Sequence, residues 1–344
     1  MNFTGHIEGH ATVNYWDFDD GTFGLNQAGG LIHSFANMGD YTVKLLAYND
    51  SHPAGVSATI LIHVENGLHF VSSVNPNPVP PYSSWVTAAT NIQDALDAAT
   101  VVGALVTVTN GLYSSVSVNK LLTLRSVNGP QSTIIVGVGR CVSLTNRASL
   151  SGFTLTNGFA ELGGGVWCQS ASAVVSNCVI IGCAAVSGHI ASGGGTYGGT
   201  LNNCTLIGNE AVVGGMGSQT SAFVSGGGAS SSTLNNSTLI GNSAYASYFV
   251  NPFTLTYEDG GGASGCTLNN CTLISNAVAS AVDSSGLAGG GASGCTLNNC
   301  TLIGNSSADC SRCSRSDGAS GCTLNNCIVY FNGLVNCSGC SMRY

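Results

Sequence analysis

The chain has 344 residues, of which only 7% are charged, while 44% are hydrophobic and 48 are glycine. This composition excludes both a disordered chain and an ordinary helical globular protein. The formal net charge is −8, and no lysine or arginine occurs between Arg147 and Arg312, which argues against nucleic acids and anionic membranes as partners. No apolar run is long enough to predict a transmembrane segment. The first residues lack the basic and apolar regions of a signal peptide, so we expect that the chain begins inside a longer precursor or that its start was trimmed.

Residues 1–66 contain short alternating runs separated by Asp-Gly and Gly-Asp turns, which is typical of a β-sandwich. The segments NYWDFDDGT and GDYTV resemble the PKD family of extracellular immunoglobulin-like modules, in which a Trp-Asp-Phe-Gly-Asp-Gly turn and a Gly-x-Tyr-x-Val strand recur. Here these elements are Trp16 to Gly21 and Gly39 to Val43, with Asp19 where the family usually has glycine. Because little precedes Trp16, we expect the module to lack its first strand and to leave a sheet edge open.

Residues 67–84 include the proline-rich stretch VNPNPVPPYSS and predict a linker with a first strand. In the next stretch, Thr90 and Gln93 have the spacing of a capping box. The apolar face of the predicted helix consists of Ile92, Ala95, Leu96 and Ala99. A short helix at this point predicts a cap on the open end of a solenoid, because the end coils of solenoids must be covered.

Residues 85–344 contain a repeat. The stretch GGGASGCTLNNCTLISN from Gly260 returns with small changes from Gly193, Gly226, Gly289 and Ser316, and more loosely from Gly163, at intervals of 30, 33, 34, 29 and 27 residues. A constant core with a variable connection predicts solenoid coils of about 27–34 residues. In the coil from Gly260, alternation predicts that Cys266, Leu268, Cys271 and Leu273 point inward and that Thr267 and Thr272 point outward.

Coils that stack about 4.8 Å apart place equivalent side chains on one another. The Asn-Asn corner and the asparagine that ends each repeat therefore predict two ladders of side-chain amides, which satisfy polar groups at tight corners. The first ladder is Asn203, Asn236, Asn270, Asn299 and Asn326, and the second is Asn209, Asn242, Asn276, Asn305 and Asn332. The outward threonines Thr205, Thr238, Thr272 and Thr301 form a further row. This row indicates either the hydroxyl face of an ice-binding solenoid or simple β-propensity on a solvated face.

The predicted cap, the strand LLTLRSVNG and the TLIGN-type repeats resemble the right-handed parallel β-helix, or pectin-lyase-like, superfamily. More narrowly, the GGGA and TLxxN elements are similar to the repeats of polymorphic outer-membrane proteins and related bacterial surface β-helices. The resemblance covers roughly residues 68–344. It implies an all-β chain in which an N-terminal sandwich and a short helix precede a right-handed parallel β-helix.

The enzymes of that superfamily cut acidic polysaccharides with clustered carboxylates, often around calcium, and an arginine or lysine base. The acids of the repeats are Glu161, Glu210, Glu258, Asp259, Asp283, Asp309 and Asp317. Only Glu258 and Asp259 are adjacent, and neighbours on a strand face opposite ways. We therefore predict no catalytic residue and no cofactor, and we interpret the acids as solvated loop residues or as ligands of a structural calcium ion.

The chain has 15 cysteines, several of which recur at repeat positions where a buried thiol serves as a small apolar group. Near the end, Cys310 and Cys313 form one CxxC pair, and Cys337 and Cys340 form another. This spacing is a zinc signal, but the separation of 27 residues also equals the local repeat period. Disulfides, free thiols and structural zinc all stay open for these four residues.

Two further predictions concern the surface. Asn2, Asn49, Asn305 and Asn336 are the candidate glycan carriers, whereas the sequons of the corner ladder are expected to be buried. The variable connection at residues 243–259 is a candidate interaction loop. Its aromatic residues are Tyr245, Tyr248, Phe249, Phe253 and Tyr257. The alternative is that these rings pack onto the solenoid wall as a satellite core.

Together these features predict a non-enzymatic structural or adhesive protein, located outside the cell or on the surface of a bacterium. We expect it to self-associate into a fibre or layer, because the sandwich has an open edge, the last coil at Tyr344 shows no polar capping segment and the solenoid walls carry little charge. The alternative is truncation of a longer chain, which would make both edges artefacts of where the sequence stops. A carbohydrate-binding or polysaccharide-cleaving β-helix is the rival hypothesis. An enzyme requires acids from adjacent coils to converge in one groove.

Overall fold

A computed structural model describes residues 1–214, 221–246, 255–280, 288–307 and 315–343. The chain divides into two compact units, Met1–Asn66 and Gly67–Tyr344. Unit 1 is built from antiparallel strands and unit 2 from long parallel sheets, which form a right-handed parallel β-helix. The predicted all-β fold class is thereby confirmed. Among the described residues, no helix is long and apolar enough to cross a membrane.

Unit 1 contains two antiparallel sheets. The larger has the strand order Phe23–Leu25, Val13–Asp17, Gly39–Asn49 and His52–Val64, and the smaller pairs Asn2–Phe3 with Leu31–Ile32. The buried core between them consists of Phe3, Trp16, Phe18, Val43 and Leu45. Along Gly39–Asn49, Val43 and Leu45 alternate with exposed or half-buried residues, as expected for a sheet that buries one face.

Unit 2 has three walls, each a parallel sheet with one strand from each coil. The first wall follows the glycine triplets and consists of Val116–Val118, Val142–Leu144, Val166–Cys168, Thr196–Tyr197, Ala229–Ser230, Ala263–Ser264, Ala292–Ser293, Ala319–Ser320 and Cys337–Ser338. The second wall consists of Leu68–Val71, Ala104–Val108, Leu122–Ser126, Ser149–Ser151, Val174–Ser176, Thr200–Asn202, Thr233–Asn235, Thr267–Asn269, Thr296–Asn298, Thr323–Asn325 and Ser341–Arg343. The third wall consists of Gly111–Ser114, Thr133–Val136, Thr154–Thr156, Val179–Ile181, Thr205–Ile207, Thr238–Ile240, Thr272–Ile274, Thr301–Ile303 and Ile328–Tyr330.

Smaller parallel sheets, called the lateral sheets below, are formed by the connections between the third and first walls. One consists of Phe159–Ala160, Ala184–Ser187, Glu210–Val213, Ser243–Ala246, Ala277–Ser280 and Ser306–Ser307. The others consist of Ile190–Ser192, Ser221–Ser225 and Leu255–Asp259, and of Ala288–Gly289 and Arg315–Ser316. A second core of alanine and valine, which includes Ala211, Ala222 and Ala244, lies apart from the main core. Small side chains in this second core are consistent with closely packed lateral sheets.

The interior of the β-helix follows the predicted alternation. Cys266, Leu268, Cys271 and Leu273 are buried, whereas Thr267 is exposed and Thr272 is half-buried. Adjacent coils pair in strict register, so that Leu268 lies between the leucines of the two neighbouring coils. The stacked leucines Leu234, Leu268 and Leu297 have no exposed surface and form one column in the core.

The predicted helix is present as Ile92–Ala98, but its N-cap was wrongly predicted. Asn91, and not Thr90, caps the helix: its backbone is extended, and its side-chain oxygen accepts the N–H of Asp94. Gln93 instead reaches the outermost strand of the first wall, where its oxygen accepts the N–H of Ser117 at 3.0 Å. Ile92 and Leu96 are buried in the main core. The helix thus satisfies polar groups at a sheet edge that no coil covers.

Candidate functional site

The second predicted asparagine ladder lies inside the β-helix. Asn209, Asn242, Asn276 and Asn305 are fully buried, and Asn332 is 4% exposed. Asn276 is representative: its oxygen accepts the backbone N–H and the side-chain N–H of Asn242, and its amide nitrogen donates to Leu239 and to Asn305. Each side chain therefore satisfies polar groups of two neighbouring coils in a dry interior.

The first predicted ladder lies on the surface. Its five members, Asn203, Asn236, Asn270, Asn299 and Asn326, are exposed. The expectation that the sequons at the first four of them are buried is therefore wrong. Each adopts a left-handed φ between 49° and 54°, a conformation that asparagine tolerates better than most residues. Side-chain hydrogen bonds link Asn270 to Asn236 at 3.2 Å and Asn326 to Asn299 at 2.7 Å. The corner residue is thus selected by its backbone conformation.

A third asparagine row was missed by the sequence reasoning. It consists of Asn202, Asn235, Asn269, Asn298 and Asn325, the first asparagine of each Asn-Asn pair. Each amide nitrogen from Asn235 onward donates to the oxygen of the preceding coil's asparagine at 2.7–2.8 Å. The signal was available: if Leu268 points inward, Asn269 must point outward.

The outer surface of the second and third walls repeats the same side chains in register. We call this surface the repeat face. Its rows are Thr200, Thr233, Thr267, Thr296 and Thr323; Asn202, Asn235, Asn269, Asn298 and Asn325; Thr205, Thr238, Thr272 and Thr301; and Ile207, Ile240, Ile274 and Ile303. All are half-buried or exposed, and none is charged. The repeat face is therefore a neutral array of hydroxyl, amide and methyl groups.

The repeated cysteines face the interior at the turns between walls. The thiol of Cys295 accepts the backbone N–H of Cys266 at 3.3 Å, and that of Cys300 accepts the N–H of Cys271 at 3.4 Å. Ser237 accepts the N–H of Cys204 in the same way at 3.1 Å. Burial raises the pKa of Cys204 to about 11, so its thiol is protonated at neutral pH. These groups act as small acceptors at the turns.

Of the four cysteines proposed as a disulfide or metal site, two lie within the described residues. Cys310 and Cys313 lie outside the described residues, whereas Cys337 and Cys340 are half-buried free thiols. The thiol of Cys340 donates to the carbonyl oxygens of Ala319 and Ser338, both at 3.4 Å. Burial raises the pKa of Cys337 to about 11. Cys337 and Cys327 line a cavity of about 250 Å³. Within the described ranges no three His, Cys, Asp or Glu side chains are placed to hold a metal ion, and the role of the paired CxxC motifs stays a prediction.

The described acids of the solenoid occupy separate environments. Glu161 and Glu210 are exposed. Asp259 is partly buried, which raises the pKa of its carboxyl group, and it accepts a hydrogen bond from Ser293. Asp317 is 3% exposed and takes the place of a triplet glycine. The side chain of Glu258, with Asp283 and Asp309, lies outside the described part. The four described acids therefore differ in exposure and in hydrogen-bond partners.

Asp317 organises the last described coil. One of its oxygens accepts from the N–H and the hydroxyl of Ser307, and the other accepts the N–H of Val335 at 2.8 Å. Burial alone raises the pKa of this carboxyl group, but the hydrogen bonds from Val335 and Ser307 outweigh burial and lower it below 3.8. The ionised form is therefore the one that the fold stabilises.

We expect Asp317→Asn to lower the free energy of unfolding at pH 7 by on the order of 2 kcal/mol, because an amide nitrogen cannot accept these bonds. A lowered folded-state pKa contributes stability above the unfolded value and loses it as the pH falls through the folded value. The difference in Tm between the two proteins should consequently shrink between pH 5 and about pH 2. Thermal melts followed by circular dichroism measure it; a difference that is constant over this range would contradict the assignment.

The candidate interaction loop is only partly described. Tyr248, Phe249 and Phe253 lie outside the described residues, as does the side chain of Tyr257. Tyr245 is 36% exposed, because Ala244 and Ala246 on either side of it point into the alanine and valine core. The alternative of an aromatic satellite core is therefore wrong for Tyr245, while its role in recognition stays a prediction.

The four candidate glycan carriers differ in accessibility. Asn305 is fully buried in the inner ladder, so its prediction as a glycan carrier is wrong; the sequon there results from the structural asparagine. Asn2 and Asn336 are exposed. Asn49 is half-buried, and its oxygen accepts the backbone N–H groups of Ser51 and His52. Glycosylation of Asn2, Asn49 and Asn336 stays a prediction.

No protein-family model matches the sequence, and no curated protein matches it at a significant level. Among solved structures, the crystal structure of pectate lyase Pel9A is similar, with a TM-score of 0.42 and 10% sequence identity over 79% of this chain and 72% of that one. A likeness of this size does not extend to activity.

Proposed function

We propose that the protein is a non-enzymatic structural or adhesive protein that acts outside the cell and self-associates through unit 1. The observation that carries this proposal is the edge strand His52–Val64. This strand has 13 residues, and among the described strands it pairs only with Gly39–Asn49. A long exposed edge is a template for pairing with another chain.

The middle of this strand is apolar and exposed on the side that faces the core, whereas Ile62 near its end packs against the core. Val56 and Ile60 pair with Ala47 and Val43, both of which are buried, yet Val56 is 54% and Ile60 is 51% exposed. The cause is the small second sheet, which has only two strands of two residues each. A second copy that pairs along the edge strand and packs against this side would cover these side chains and bury apolar area.

We further propose that unit 1 is a PKD-type module and that the chain belongs with bacterial surface β-helices. Support comes from Asp19, which stands where PKD modules usually have glycine. Its φ is +59°, a left-handed conformation that glycine adopts without strain. Its carboxylate accepts the N–H of Thr42 at 2.8 Å, and this bond provides a reason for aspartate at a glycine position.

We expect Ile60→Lys to abolish self-association, because the lysine would place a charge on the apolar surface that the neighbour must cover. Sedimentation velocity over a range of concentrations measures the effect. Ser57→Lys is the matched control: it adds the same charge to the same strand, but Ser57 pairs with Leu46 on the opposite face. Wild-type protein that stays monomeric at the highest concentration, or equal loss in both variants, would contradict the proposal.

A further inference from the structure

We propose that the repeat face is a docking surface for an uncharged, extended polysaccharide. This inference rests on the adhesive function proposed above and gives it a ligand class. It concerns the outer rows of the second and third walls, which lie in unit 2, whereas the edge strand lies in unit 1. The two surfaces can therefore be tested separately.

The polar side chains of the repeat face have hydrogen-bond donors and acceptors that no described protein group uses. Asn269 donates one N–H to Asn235 and accepts one from Asn298. A primary amide has two N–H donors and two acceptor lone pairs. Each asparagine of this row that has a neighbour on both sides therefore keeps one N–H and one lone pair for a ligand. Within the described part of the chain, the hydroxyls of Thr267 and Thr296 have no hydrogen-bond partner. Sugar hydroxyls, which both donate and accept, match this mixture of groups.

The side chains of the repeat face are also held in place before any ligand binds. Each outward asparagine is held by its neighbours in the ladder, and the strand beneath it is fixed by a leucine with no exposed surface, such as Leu268. Immobilising these side chains on binding therefore costs little conformational entropy. The same pattern recurs in successive coils about 4.8 Å apart. A polymer that contacts several coils gains from multivalency even where each contact is weak.

The absence of charge on the repeat face favours neutral over anionic polysaccharides. The repeat face carries no charged side chain, and no lysine or arginine occurs between Arg147 and Arg312 in a chain whose net charge is −8. An anionic polymer such as polygalacturonate would find no cation here and would be repelled over a distance set by the salt. The complementary ligand is therefore neutral.

A second copy of the chain fits this face less well. Five coils about 4.8 Å apart and two short strands in width give an area of roughly 400–500 Å². A stable protein interface needs about 800 Å² from each partner. A polysaccharide chain needs no such area, because its contacts are distributed along its length.

Affinity electrophoresis in native gels tests the proposal with four probes: hydroxyethyl cellulose, xylan, galactomannan and polygalacturonate. We expect at least one neutral polymer to retard the wild-type protein and polygalacturonate to have no effect. The double variant Asn269→Ala/Asn298→Ala, which removes two adjacent amides, should weaken the retardation about tenfold. Ser151→Ala/Ser176→Ala, which removes two outward hydroxyls of the same wall beyond the asparagine row, should leave it unchanged. Circular dichroism verifies that both variants are folded.

Four results would overturn the proposal. No retardation by any neutral polymer would remove the ligand class, and equal retardation by polygalacturonate would remove the charge argument. Thermal hysteresis of ice growth without polysaccharide binding would reassign the face to ice. A dimer lost in Asn269→Ala/Asn298→Ala but kept in Ile60→Lys would reassign it to a second copy. The first three results do not involve self-association through Ile60, so they would leave that proposal open to its own test. The fourth result would overturn both proposals.

Discussion

Replacement of one inner-ladder asparagine should destabilise the β-helix far more than replacement of a corner asparagine in the same coil. Asn276→Ala would leave the side-chain N–H of Asn242, the carbonyl of Leu239 and the oxygen of Asn305 without these partners. Each unsatisfied buried group costs about 1–3 kcal/mol. We therefore expect the free energy of unfolding to fall by about 4 kcal/mol or more.

Asn270→Ala is the matched control, because Asn270 is exposed and water can replace its single hydrogen bond to Asn236. Its cost should stay at about 1 kcal/mol and reflect mainly the left-handed backbone. Urea unfolding followed by circular dichroism measures both variants. Equal losses in the two would mean that the inner ladder has no special energetic role.

A side chain at the middle glycine of a triplet should also strongly destabilise the β-helix. A Cβ on Gly261 would overlap the carbonyl oxygen of Ala277 and lie 2.6 Å from that of Gly290. Both obstacles are backbone atoms of stacked strands, which cannot move aside without disrupting the register. We expect Gly261→Ala to cost about 3 kcal/mol or more, measured as a lower urea midpoint or as a loss of soluble folded protein.

Gly265→Ala is the control for this prediction. Gly265 has a φ of +58°, but a Cβ there meets no atom within 4 Å. The equivalent residue of the preceding coil, Ser231, adopts φ +53° with a side chain. The expected cost is therefore only the left-handed strain of about 1–2 kcal/mol. A larger loss for Gly265→Ala than for Gly261→Ala would show that backbone conformation, and not close packing, selects the glycines.

The repeat allowed the coils and their inward residues to be predicted, because alternation fixes parity once Leu268 is assigned to the core. It did not identify which residue of each Asn-Asn pair forms the continuous outer ladder. That distinction depends on the left-handed φ of Asn270, which turns the chain and places Cys271 inward again. Because both residues of the pair are asparagine, residue type alone could not show which one lies in the turn and which one lies in the strand.

The lateral sheets could not be predicted for a different reason. They are built from connections of unequal length whose sequences do not repeat, and their register comes from the stacked coils to which they are attached. Ala211, Ala244 and Val278 are equivalent in space, yet nothing in their local sequences marks them as a row. Asn305 illustrates the opposite error, since a local sequon suggested a surface site where tertiary stacking buries the side chain.

The central claim is that this chain is a self-associating structural or adhesive protein, and imaging the assembled material tests it most directly. Negative-stain electron microscopy of the full chain at physiological salt should show fibres or layers with a constant subunit spacing, and these should be absent from Ile60→Lys. Dispersed single particles of the wild-type protein at high concentration would contradict the claim.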